Sequence, residues 1–183
     1  MKGLIDCFYC TVGGDRLRQA MGELTLARLE QLPVNVTVLT PEFLGCSKRD
    51  FQVGRRTWAE EVAETHIYIV ADDDCLLMEP DWVERGLSVL DSYPTLAQLS
   101  GYPTNATIYP TGDNHANFQF HENQSICGTY FQRKGLMTEF PPLSEHSYSR
   151  TQADWFRSNG YVVGLTPLLH FNHLGEGFSQ WHL

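Results

Sequence analysis

Apolar residues follow two regimes along the first half of the chain: short unbroken runs, and longer stretches where they recur every three or four positions. The run from Leu4 to Thr11, closed by Gly13 and Gly14, predicts a first strand. Between Asp15 and Leu32, the residues Leu17, Met21, Leu24, Leu29 and Leu32 recur at helical spacing with charges between them. That predicts an amphipathic helix, with Asp15 as its N-cap and Pro33 as its stop. Asn35 to Thr40 reads as a second strand ended by Pro41, and a polar loop over about 44–54 leads into a helix from Arg55 to Thr65. His66 to Ala71 (HIYIVA) is the clearest buried strand, and it runs directly into Asp72, Asp73 and Asp74. Pro80 to Leu90 reads as a third helix, with Pro80 near its first turn.

The second half is less regular. Short strands are expected near 96–100, 106–109 and 126–132, then a Pro- and Ser-rich loop over 141–149. A helix near 150–159 is closed by Gly160, YVVGL follows as a strand, and HFNHLGEGFSQWHL reads as a tail. Strands alternating with helices predict an α/β fold with a mostly parallel central sheet flanked by helices. Ligands of such sheets collect outside the carboxyl ends of the strands, which is where Asp72, Asp73 and Asp74 fall. Neither an internal repeat nor a linker divides the 183 residues, so one domain is expected.

Charge narrows the chemistry. A net charge of −9 argues against non-specific binding to nucleic acid or to an anionic membrane, both of which need a basic face. The N-terminal stretch is too short and too polar for a signal peptide, and no transmembrane segment is expected. Five scattered cysteines suit a reducing compartment, and Cys7 and Cys10 lie within an apolar run that reads as a buried strand rather than a redox motif. The expected address is cytoplasmic. Asn-x-Ser/Thr sequons at Asn35, Asn105 and Asn123 carry no weight without secretion.

Three adjacent carboxylates repel one another and repel anions. A hard divalent cation offsets that cost, and Mn²⁺ or Mg²⁺ would also retain affinity for substrate phosphates. An acidic chain that handles a phosphate-bearing substrate needs such a device. The bland alternative is a solvated acidic turn; delivery by the buried strand IYIV favours a ligand role.

The segment RTWAEEVAETHIYIVADDD, Arg56 to Asp74, resembles the heart of the inverting GT-A glycosyltransferases. There an Arg opens a helix, an Ala seven residues later packs it, and an apolar strand ends in a D-x-D motif; Arg56, Ala63 and Asp72–Asp74 stand in that register. The resemblance implies a GT-A single domain, with residues 1–100 as the nucleotide-binding half and 101–183 as the donor-sugar and acceptor half. It implies that Asp74 binds the metal bridging the donor phosphates. Asp72 would lie near the ribose or the metal, and Arg55 or Arg56 would meet the nucleotide. Thr11 and Asp73 would belong to the same nucleotide site. SICGTYFQRKG resembles the segment under the donor sugar, where Cys127 and Gly128 fill the small-residue places. GYVVGLTPLLHFNHLGEG resembles the late strand, Pro and histidine; His173 matches as a third metal ligand, with His170 as a rival.

The sequence departs from that pattern where a base-reading Asp is usual, offering Glu42 or Thr40, and where an E-D pair usually supplies the catalytic base. Glu145 is the first candidate for that base and Asp154 the second. The expected activity is transfer of a sugar from a UDP- or GDP-linked donor to a hydroxyl of a glycan, lipid or protein, with inversion or retention left open. Two rivals remain: a non-catalytic GT-A domain that binds a nucleotide sugar or glycan, and a sugar nucleotidyltransferase. The second needs a longer phosphate loop than TVGGDRLRQ offers. Gly175 and Gly177 would let the tail close over a bound diphosphate.

Overall fold

β1 (Ile5–Cys10) is buried on both faces, so it can only be an interior strand. Its odd residues Ile5, Cys7 and Tyr9 join one apolar cluster, and its even residues Phe8 and Cys10 join a second on the other face. Each face is covered by helices. Residues 4–104, 120–122, 126, 128–137, 140 and 148–174 are described by this computed structural model. The strand expected over 106–109, together with Cys127, Glu145 and the tail from Gly175, lies outside them.

Along the chain, β1 is followed by α1 (Arg16–Leu29), β2 (Val34–Leu39), α2 (Pro41–Leu44), α3 (Lys48–Val62) and β3 (Ile67–Asp72). Then come β4 (Cys75–Leu77), α4 (Trp82–Ser92), β5 (Leu96–Pro103), β6 (His121–Glu122), β7 (Tyr130–Arg133), α5 (Tyr148–Ser158) and β8 (Val162–His173). The sheet order is β2-β1-β3-β7-β5-β8-β4, with β6 paired to β8. β1 is parallel to β2 and β3, and β5 is parallel to β8. β7 runs antiparallel to both β3 and β5, so β2, β1, β3, β5 and β8 all point one way while β7 and β4 oppose them. β6 is antiparallel to β8 as well, so the expected mostly parallel sheet is mixed at three places, and β3 sits inside it.

Three elements differ from their sequence-based expectation. α3 begins at Lys48 rather than Arg55, because Ser47 caps it: Ser47 Oγ accepts from the Asp50 amide at 3.1 Å and donates to the Asp50 carboxylate at 2.6 Å. Arg55 and Arg56 therefore lie in mid-helix, almost fully buried, rather than opening a helix. α1 turns its polar-and-small stripe inward: Gly22, Thr25 and Leu29 are buried while Leu17 and Leu24 face solvent. The cause is close approach. Tyr9 donates its hydroxyl to the Gly22 carbonyl at 2.9 Å, and a Cβ at Gly22 would stand 2.7 Å from the Tyr9 hydroxyl oxygen.

β8 is longer than YVVGL and reaches His173. A bulge lets it do so: register with β5 jumps from Gly101↔Thr166 to Tyr102↔His170. The Leu169 carbonyl passes 2.5 Å from where a Gly101 Cβ would be, so only glycine fits there. Beyond the bulge, β8 pairs antiparallel with β4, placing Cys75 opposite His173. No helix among the described residues is long and apolar enough to cross a membrane.

Candidate functional site

Asp72 closes β3, and the chain turns at once through Asp73 and Asp74 into β4. The three carboxylates leave this turn for three different partners. Asp72 is in an ion pair with Arg55, whose Nε is buried without a hydrogen-bond partner among the described residues. Asp73, 2% exposed, accepts both arms of Arg18 (Nη2 to Oδ1 at 2.7 Å, Nε to Oδ2 at 3.2 Å) and the Thr11 hydroxyl at 2.7 Å. Burial pushes the Asp73 carboxyl up, against the opposing pull of Arg18 and Thr11. The inward stripe of α1 explains this: Arg18 lies one turn before Gly22 and so reaches the sheet.

Asp74 is 1% exposed and meets His173, with Oδ2 and Nε2 3.4 Å apart. Burial opposes its ionisation, but the hydrogen bond and charge of His173 outweigh that and hold the carboxyl below its ordinary range. The backbone fixes the pair as well, since the Leu174 amide donates to the Asp74 carbonyl at 2.7 Å. Cys75 Sγ lies 3.6 Å from Asp74 Oδ1, and one ligand atom each of Asp74, Cys75 and His173 falls within 4.8 Å of the others. A carboxylate and an imidazole at this spacing form a donor pair that fits a divalent cation. Asp72, expected as a further ligand, is turned to Arg55 and is not in that cluster.

A cleft of about 260 Å³ opens beside this turn, lined by Tyr9, Thr11, Gly13, Arg18 and Val38 among others. It lies outside the carboxyl ends of β1 and β2, on the side of α1, and Asp74 and His173 do not line it.

The fold has solved counterparts. The mannosyltransferase PcManGT from Pyrobaculum calidifontis, in complex with GDP-Man and Mn²⁺, superposes with a TM-score of 0.61 at 13% identity, covering 95% of this chain and 57% of its own. S. aureus TarS 1–349 gives 0.60 at 11% identity, covering 90% and 59%. A197 from STIV gives 0.57 at 11% identity, covering 92% and 84%. The fold is GT-A. No protein-family model matches the chain, and no curated protein matches it in sequence. The chain spans under two thirds of the length of TarS 1–349 and of PcManGT.

Within this GT-A frame the remaining candidates are placed as follows. Thr40 and Glu42 follow the carboxyl end of β2; the Thr40 hydroxyl caps α2 by accepting from the Phe43 amide at 3.1 Å, and Glu42 is exposed in its first turn. Arg56 donates to Gln152 of α5 at 2.8 Å and lies over the Tyr130 ring at 5.4 Å. It therefore ties α3 to α5 and β7. Gly128 has a φ of 80°, and a Cβ there would come within 3.1 Å of Cys75 Sγ. Asp154 lies on the exposed face of α5 and pairs with Arg157 at 3.0 Å, not with any residue of the aspartate turn. His170 is held by Glu79, Nδ1 to Oε1 at 2.6 Å.

Sequence reasoning missed Arg18, Cys75 and Glu79. Arg18 was one charge among several on a helix whose inward face was misread. Cys75 was legible as the residue following the three aspartates, but its facing His173 depends on a bulge that no local pattern announces.

Proposed function

We propose that this chain is a nucleotide-sugar-dependent glycosyltransferase domain whose divalent cation is held by Asp74 and His173. The observation that carries the reading is the meeting of Asp74, delivered by the end of β3, with His173, delivered by the end of β8, at 3.4 Å. Support for a nucleotide-sugar donor comes from counterparts of the same fold, solved with GDP-Man and Mn²⁺ and with UDP-GlcNAc.

In this reading the cation, Mn²⁺ or Mg²⁺, would stabilise the charge that develops on the departing diphosphate. The chain's own residues bind and orient the donor. Thr11 and Arg18, fixed on Asp73, line the cleft beside the turn and present it with a hydroxyl and a guanidinium. Arg55 pairs with Asp72 and keeps its carboxylate oriented at the end of β3. Gly128 leaves room next to Cys75, consistent with a place under the sugar. Glu145 is proposed as the base that takes the proton of the attacking hydroxyl; the solvent-facing ion pair of Asp154 makes it the weaker choice. The acceptor is a hydroxyl of a glycan, lipid or protein, and the proposed address is the cytoplasm.

A second reading has one specific observation behind it. The inositol-1-phosphate CTP transferase from T. maritima gives a TM-score of 0.54 and is covered over 90% of its chain. Against it stands the short β1–α1 connection, from Thr11 to Asp15. One assay separates the two. Incubation with UDP- or GDP-sugars and Mn²⁺ should liberate nucleoside diphosphate, slowly to water or faster to an acceptor. Pyrophosphate release from a nucleoside triphosphate and a sugar phosphate would instead establish nucleotidyl transfer, and tight donor binding without turnover would mark a binding domain.

A further inference from the structure

Cys75 has no part in the reading above, yet among the described residues it groups with the cation pair as a possible third ligand. It opens β4 and is paired across the antiparallel ladder with His173, so both side chains leave the sheet on the same side. Its sulfur lies 3.6 Å from Asp74 Oδ1, toward which the thiol donates. Around a tetrahedral ion with metal–sulfur bonds of about 2.3 Å and metal–nitrogen or –oxygen bonds of about 2.0 Å, the donors are about 3.3–3.6 Å apart. The two oxygens of Asp74 divide between the other donors, Oδ2 3.4 Å from His173 Nε2 and Oδ1 3.6 Å from Cys75 Sγ. One ligand atom from each of the three residues lies within 4.8 Å of the others, so small side-chain shifts bring them to that spacing.

We propose that Cys75 is a third ligand of this site through its thiolate, so that the site selects thiophilic ions such as Co²⁺ and Zn²⁺ over Mg²⁺. The inference rests on the reading of Asp74 and His173 as a cation pair. The donor set is one carboxylate, one imidazole and one sulfur, whereas Mg²⁺ demands a shell of oxygens. Asp72, the carboxylate that could have made the set harder, is turned to Arg55. Cys75 is fully buried, and Gly128 spares its sulfur a Cβ that would stand 3.1 Å away. On binding, the sulfur–hydrogen bond breaks, the sulfur–metal bond forms, and the proton passes to the buffer; no oxidant or reductant is involved.

The test titrates the purified chain with Co²⁺ alone. Thiolate ligation should produce an intense sulfur-to-cobalt charge-transfer absorption in the near ultraviolet, and Cys75→Ser should abolish it. The same variant should weaken Co²⁺ binding at least about tenfold while changing Mn²⁺ binding much less, because sulfur contributes little to a harder ion. X-ray absorption of the wild-type chain loaded with Zn²⁺ needs no variant and should show a sulfur neighbour at about 2.3 Å. Co²⁺ binding without the charge-transfer band, a band that survives in Cys75→Ser, or a zinc shell without sulfur would overturn the inference and leave the Asp74–His173 reading standing. If neither Co²⁺ nor Mn²⁺ binds, or if Asp74→Ala binds both as the wild type does, the reading beneath it fails as well.

Discussion

Asp6 stands alone among the apolar residues of β1, and its surroundings explain why it is tolerated there. Its Oδ2 accepts from the Glu64 amide at 2.7 Å, the Thr65 amide at 3.1 Å and the Thr65 hydroxyl at 3.2 Å. Burial alone would raise its pKa, but these donors outweigh it and hold the carboxyl below its ordinary range. It thereby pins the turn that leads from α3 into β3, the strand that ends in the aspartates. A group whose folded pKa is depressed stabilises the fold above its unfolded value and loses that contribution as pH falls through the folded value. Asp6→Asn should therefore cost about 2 kcal/mol at pH 7, the scale of hydrogen bonds to a charged group. Urea midpoints should show the two proteins converging below about pH 4, where the wild type also becomes protonated. A constant difference from pH 7 to pH 3 would mean that Asp6 acts through shape and not charge. At this scale the place of the three aspartates was readable: they follow a buried strand and form the turn at its carboxyl end. Which partner each aspartate takes was not, because Arg18 and Arg55 reach them from elements whose inward faces depend on packing.

Among the elements, α4 shows how closely helix and sheet meet. Trp82 stacks on Phe131 of β7 with ring centroids 4.6 Å apart and planes 11° apart, and Gly86 one turn on leaves room for the same ring. A Cβ at Gly86 would fall 2.1 Å from Phe131 Cε2. Phe131 is fully buried and cannot step aside. Gly86→Ala gains about 1 kcal/mol of helix propensity, yet overpacking of this severity costs about 1–3 kcal/mol or more, so the variant should be net destabilised. Thermal unfolding should show a lowered Tm. The double variant Gly86→Ala/Phe131→Leu should lose less than the sum of the two single changes, because the clash and the ring are removed together. Additive losses would show that the two do not meet. The periodicity of α4 was plain in the sequence, as were β1 and β3. The N-terminal two turns of α3 were hidden behind charged residues, since Ser47 caps a helix whose first turn is polar. β4 is three residues long and exists only because the bulge in β8 offers it a partner.

For the molecule as a whole, the sheet order brings the ends of β1, β3 and β8 together although they lie far apart in sequence. The alternation of strands and helices was enough to expect a sheet flanked by helices with a crevice at its carboxyl edge. It could not reveal that β7, β4 and β6 run against the rest, since short antiparallel strands leave the same local pattern as parallel ones. The central claim is that Asp74 and His173 hold the cation through which a nucleotide sugar binds. Calorimetric titration of UDP- and GDP-sugars, with and without Mn²⁺, into the wild type and Asp74→Ala tests it most directly. The account predicts Mn²⁺-dependent binding of at least one donor to the wild type, and its loss in Asp74→Ala with an unchanged circular dichroism spectrum. Equal binding of that donor to both proteins, or binding indifferent to Mn²⁺, would contradict it.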